Sequence, residues 1–367
     1  MREDSFWLGR LHVRSAGNVL ASPPREYLVK GLISPAEMSL WWGPPKSGKS
    51  FLALHVTYAV AQGRAVFGRR VKRAKVLYLA AEGAAGLGGR IKALRGKYGV
   101  AEGFYLVTQG IDLRNSPTPG ADKIAPSEEK APGVGGGGGH LGEVIALVRA
   151  LGVELVVVDT LNRALAGGDE NGSKDMGGFI ANVTEMIHAT GVHVLVIHHG
   201  TKSEHSTPRG HSSLIGAADL VMEVARVKDG PGPLLGSATV TAAKDDPDGV
   251  AFGFSAETVR IGVDADGDSV TTLLVQELAS APDARKGSAK DRALEVLRGL
   301  VRHDPKVRVE AWKAACLEAG VCGENPKSAE RQWRRVVEAL EAGGRIVVGD
   351  GFVRVASAEE TAGVLVA

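Results

Sequence analysis

The eight residues GPPKSGKS at 43–50 place a lysine and a serine behind a glycine-bounded turn, at the spacing that grips phosphate. Gly43 and Gly48 let the backbone turn tightly enough to aim successive N–H groups at phosphate oxygens, at the positive end of a helix that starts there. Lys49 supplies positive charge for the β and γ phosphates, and the Ser50 hydroxyl supplies a ligand for Mg²⁺. The nucleotide-binding set is therefore Gly43, Pro44, Pro45, Lys46, Ser47, Gly48, Lys49, Ser50 and Phe51. These residues predict a P-loop, with ATP as the default nucleotide and Mg²⁺ as its metal.

Such a loop needs a strand before it and a helix after it. MSLWW (Met38 to Trp42) reads as the strand and FLALHVTYAVAQG (Phe51 to Gly63) as the helix. Four apolar residues, Leu155 to Val158, lead into Asp159, the pattern of a strand whose terminal carboxylate serves the Mg²⁺ shell. Glu82 follows the strand KVLYLAAEG and is the best candidate to orient an attacking water, although a loop acid at that place is ordinarily just solvated. HVLVIHHG at 193–200 ends a further strand in paired histidines, a place for a polar sensor of the γ-phosphate. Six of the ten histidines fall between His188 and His211, but their spacing fits no zinc frame and no cysteine accompanies them.

Further strands are expected at Lys75 to Ala80, Phe104 to Thr108, Glu154 to Asp159, His193 to His198 and Leu220 to Val224, with helices filling most gaps. Alternation of this kind predicts an α/β fold with a mainly parallel sheet. Residues 1–37 read as an N-terminal arm, 38–277 as the nucleotide-binding domain, 278–290 as a polar linker, 291–356 as a small C-terminal domain and 357–367 as a tail. The stretch 115–140 has almost no large apolar side chains and ends in five glycines, which predicts a flexible surface insertion. After Ala242 the pattern turns to strands, with DADGD at 264–268 as a hairpin turn, lacking the downstream frame of a calcium loop.

Mean hydropathy near zero, a start without an apolar core and the lack of a run of about 20 apolar residues predict a soluble protein. Two cysteines, Cys316 and Cys322, fit a reducing cytoplasm. The net charge of +2 conceals an asymmetry: residues 285–355 hold 15 Lys/Arg against 10 Asp/Glu, which gives +5. In that segment DRALEVLRGLV, RVEAWKAACLEAG and KSAERQWRRVVEALEAGG predict three helices, and RIVVGDGFVRV a hairpin. On the third helix Trp333, Val336, Val337 and Leu340 share one face, and Arg331, Arg334 and Arg335 another. Three helices and a hairpin resemble a winged helix-turn-helix, whose cationic recognition helix suits DNA phosphates.

The ordered set PREYLVKGLI, GPPKSGKS, VLYLAAEG, VVVDTLNRALAGGDEN, VIHHG and TPRGHSSLIGAADLVMEV resembles the RecA-like ATPases related to the hexameric plasmid helicase RepA, over about residues 23–260. The resemblance implies a RecA-like P-loop core, DNA replication as the setting and a catalytic base at Glu82. It places the strand-end sensor at His198 or His199, with His199 slightly favoured. It further implies a homo-oligomer, a hexameric ring, in which a neighbouring subunit supplies a basic finger, here Arg209 or Lys244. Relatives carry two cations in the latter motif, whereas this chain has Ala242 at the first position. Loops at 163–175 and 200–213 would face the ring channel, with Lys174, Lys202 or Arg209 near single-stranded DNA. A non-translocating DNA-binding regulator and a recombinase-like filament ATPase are the alternatives.

Overall fold

A computed structural model describes residues 5–8, 11–14, 25–81, 84–115, 139–200, 208–227, 232–282, 289–302, 306–319, 321 and 326–356. The architecture follows from apolar runs that have to be covered on both faces. After a hairpin of β1 (Ser5–Leu8) and β2 (Leu11–Arg14), the chain enters β3 (Met38–Gly43), α1 (Lys49–Gln62), β4 (Val76–Ala80), α2 (Ala84–Tyr98) and β5 (Phe104–Val107). It continues through α3 (Leu141–Leu151), β6 (Leu155–Asp159), α4 (Leu161–Ala164), α5 (Ser173–Thr190), β7 (His193–His199), α6 (Ser213–Ala217) and β8 (Leu220–Arg226). β9 (Leu234–Ala243), β10 (Ala251–Val263) and β11 (Ser269–Leu278) then extend the same sheet.

The sheet runs β11-β10-β9-β8-β3-β7-β6-β4-β5, parallel from β8 to β5 and antiparallel from β8 to β11. β7 lies between the P-loop strand β3 and the Asp159 strand β6. Along each inner strand successive side chains enter opposite cores. Val76 and Tyr78 of β4 and Leu155 and Val157 of β6 join one core, on the side of α1. Leu77, Leu79, Val156 and Val158 join the other, with α3 and α5.

Every predicted parallel strand is present within one or two residues of its expected bounds. β9 was not anticipated. The N-terminal arm is built into the domain: Leu28, Val29, Leu32 and Ile33 are buried in the α1-side core. The expected insertion is clamped at its base, where His140 N donates to Asp112 O at 2.8 Å and a Cβ on Gly139 would lie 2.3 Å from Asn115 O. Residues 116–138 themselves lie outside the described residues. DADGD is the turn of the β10–β11 hairpin, with Asp264 Oδ1 accepting from the N–H of Asp266 and of Asp268.

The C-terminal segment is ordered α7 (Ala289–Val301), β12 (Val307–Arg308), α8 (Val309–Glu318), α9 (Pro326–Ala342), β13 (Ile346–Gly349) and β14 (Phe352–Val355). Its strands form an antiparallel sheet, β12-β14-β13. Trp312 and Trp333 meet edge to face at 4.7 Å at the centre of a separate core, and Trp312 Nε1 donates to Ala293 O at 2.7 Å. As the helical pattern predicted, Trp333, Val336 and Leu340 are buried, while Arg334 and Arg335 are exposed. The side chain of Arg331 lies outside the described residues.

Candidate nucleotide site

The carboxyl ends of the parallel strands carry the site. Gly43 closes β3 where no side chain fits, since a Cβ there would stand 2.1 Å from Val224 O on the neighbouring strand. Gly48 turns the chain into α1 with φ 93°, and a Cβ on it would meet Leu234 at 2.8 Å. No side chain caps α1 and no acid lies in its first turn, so its N–H groups and positive dipole end face an incoming anion unopposed. Lys46, an unusual filler, also holds positive φ, 64°. The Lys49 ammonium is buried and donates to the carbonyls of Gly43 (2.9 Å) and Pro44 (2.8 Å). A phosphate competes well for that ammonium, because a charge-assisted bond is stronger than one to a neutral carbonyl.

Asp159 ends β6 on the α1 side of the sheet. Its Oδ1 accepts from Ser50 Oγ at 3.1 Å, and its Oδ2 from the Tyr78 hydroxyl at 2.6 Å. Burial, reinforced by the Asp159 charge, holds the Tyr78 phenol well above its ordinary value, so it remains a neutral donor. Nothing in the motif pattern pointed to Tyr78. The signal was a tyrosine inside an otherwise aliphatic strand, whose buried hydroxyl requires a partner. The paired hydroxyl and carboxylate of Ser50 and Asp159 are hard oxygen donors and fit Mg²⁺.

At the end of β7 the alternation of side chains separates the two histidines. His198 is fully buried and its Nε2–H donates to Arg209 O at 2.5 Å; burial lowers its basicity, so the ring stays neutral. His199 is opposite Gly43 in the register and shares the α1 face with Asp159. Arg209 returns to this end of the sheet: its N–H donates to His199 O, and its Nε pairs with Glu170 Oε1 at 2.7 Å. Asn162 Nδ2 donates to the other oxygen of Glu170 at 3.1 Å, so the loops after β6 and β7 are tied together. Glu170 and Asn162 were not anticipated, since the Arg209 that Glu170 holds is distant in sequence.

Lys244 occupies the opposite end of the sheet. Its Nζ pairs with Asp219 at 2.9 Å, and the same carboxylate accepts Met38 N, at the start of the P-loop strand. The length of β3, about 20 Å, therefore separates Lys244 from the phosphate loop of its own chain. Lys174 is exposed in the first turn of α5 and not in a loop, because the helix begins at Ser173. Glu82 and Lys202 lie outside the described residues. Among the described residues no three His, Cys, Asp or Glu gather as a metal cluster, and no helix is long and apolar enough to cross a membrane.

Residues 9–205 match the AAA domain family, AAA_25. No curated protein matches the chain. Among solved structures, the RadB recombinase is 18% identical with a TM-score of 0.40, covering 60% of this chain and 87% of its own. A KaiC-like protein from Pyrococcus horikoshii OT3 is 13% identical with a TM-score of 0.42, covering 70% of this chain and 100% of its own. Likenesses this loose carry no functional argument.

Proposed function

The chain belongs to the AAA domain family, and from that premise we propose that this RecA-like P-loop ATPase is a cytoplasmic, DNA-associated motor similar to the RepA-type hexameric helicases of plasmid or phage replication. The observation that carries the reading is the convergence of Lys49, Ser50, Asp159 and His199 on one face, at the carboxyl end of the sheet. The α1 N-terminus and Lys49 bind the triphosphate and balance its charge. Ser50 and Asp159 would hold Mg²⁺, which would offset the negative charge that develops on the phosphates. Glu82 takes the proton of the attacking water as the bond from the γ-phosphorus to its bridging oxygen breaks, a role assigned by the resemblance alone.

A neighbouring copy completes the site with Arg209 or Lys244. The position of Lys244, a strand's length from its own P-loop, suits service to another subunit; Arg209 must first exchange Glu170 for a phosphate. The C-terminal order of helix, strand, two helices and hairpin supports a winged-helix reading, in which Arg334 and Arg335 on the third helix offer charge to duplex phosphates. Lys174, Lys202 and Arg331 add cations for DNA.

A tailed duplex tests the reading: ATP-dependent strand separation is the expected outcome. Hydrolysis stimulated by single strands without unwinding would replace the motor with a DNA-binding regulator or a filament former. Electron microscopy with a nonhydrolysable nucleotide tests assembly, and a persistent monomer removes every role assigned to a neighbour.

A further inference from the structure

Asp159 is held from two sides, by the Ser50 hydroxyl on Oδ1 at 3.1 Å and by the Tyr78 hydroxyl on Oδ2 at 2.6 Å. Ser50 belongs to the phosphate loop and has its own task there. Tyr78 does not: it sits inside the sheet, fully buried, on a strand hydrogen-bonded to β6 with Val157 opposite it and Asp159 two residues further along the same face. Its ring leans on Phe104, with centroids 6.1 Å apart, and full burial restricts its movement away from Asp159. A carboxylate otherwise turns broadly about its last torsion.

We propose that Tyr78 is a positioning residue for the metal–nucleotide site, pinning one oxygen of Asp159 so that the other is presented to Ser50 and to Mg²⁺. The inference rests on the reading that Ser50 and Asp159 hold the ion. Groups that orient a metal's carboxylate from behind are commonly worth ten- to a hundredfold in metal affinity.

The test uses binding of a fluorescent ATP analogue to the full chain, titrated with Mg²⁺ and repeated in EDTA. Tyr78→Phe raises the Mg²⁺ midpoint by about tenfold or more and leaves metal-free nucleotide binding unchanged, because Lys49 and the loop are untouched. An unmoved midpoint overturns the proposal, and so does an equal loss of metal-free binding, which marks a general packing defect. Replacing Tyr78 by p-aminophenylalanine fills the hydroxyl's space and retains a weaker donor, which keeps the test open if the phenylalanine variant does not fold. Its weaker bond raises the midpoint above wild type by less than about tenfold; a midpoint equal to wild type counts against the proposal. Asp159→Asn raises the midpoint on its own, and adding Tyr78→Phe to it changes nothing further. Additive effects overturn action through Asp159, whereas an Asp159→Asn variant with a wild-type midpoint overturns the metal-site reading itself.

Discussion

The two ends of the parallel strands are built from the same kinds of residue and differ in what those residues hold. At the carboxyl end Lys49 rests on two loop carbonyls and the first turn of α1 carries no cap, so partners there are easily exchanged for a stronger anion. At the amino end each group is committed to a particular distant segment. Arg25 pairs with Glu37 at 2.5 Å and Asp246 at 3.0 Å; Tyr27 also donates to Asp246; Asp219 joins Lys244 to Met38 N. His193 bridges Ser34 O and Ser39 Oγ in full burial. Polar groups are thus open to exchange at one end and bound to distant segments at the other, and only partner strength and accessibility distinguish them.

Four measurements would break or sharpen that contrast. Lys49→Ala has the largest effect: phosphate release falls by about 100- to 1,000-fold, while the thermal midpoint moves little, because the bonds lost from Gly43 O and Pro44 O lie within one loop. At the other end the signature is pH. Burial lowers the His193 pKa to about 4, below its unfolded value of 6.5. The unfolded chain therefore takes up a proton between these values and the folded one does not. Stability is present in full above pH 6.5 and is lost as pH falls toward 4, by about 3 kcal/mol. Urea titrations across that window should show the slope, and His193→Gln should flatten it. Asp219→Ala removes the partner of both the Met38 N–H and Lys244 Nζ, and should cost about 2 kcal/mol in unfolding by denaturant; turnover per folded molecule stays unchanged if the finger is Arg209 and changes if it is Lys244. Smallest is Glu170→Gln: Arg209 is 56% exposed, so the lost pair is worth about 0.5 kcal/mol. Its effect should appear instead in hydrolysis that depends on protein concentration, if Arg209 serves a neighbour.

The sequence was legible where the signal was local. The GPPKSGKS loop, the apolar runs around it and Asp159 at the end of β6 are each complete within a few residues, and all are present. The Trp333, Val336 and Leu340 face of α9 was readable for the same reason. β9 was missed because LLGSATVTAA is rich in small residues, and its pairing with β8 and β10 supplies the pattern that its composition lacks. Tyr78 and Asp159 are 81 residues apart, so their hydrogen bond exists only once β4 and β6 are neighbours. The arm was readable only in outline, as apolars in a loop or short strand beside the P-loop strand: Leu28 and Ile33 look scattered until α1 lies against them.

The closed base of the insertion has a practical consequence. Because Asn115 and Gly139 meet, whatever the chain carries between them enters and leaves the domain at a single point. Halving or doubling the intervening length alters closure by only about 0.6 kcal/mol. The site is thus a natural splice point, where a fluorophore carrier or an affinity handle can be installed while the ends of β5 and α3 keep their places.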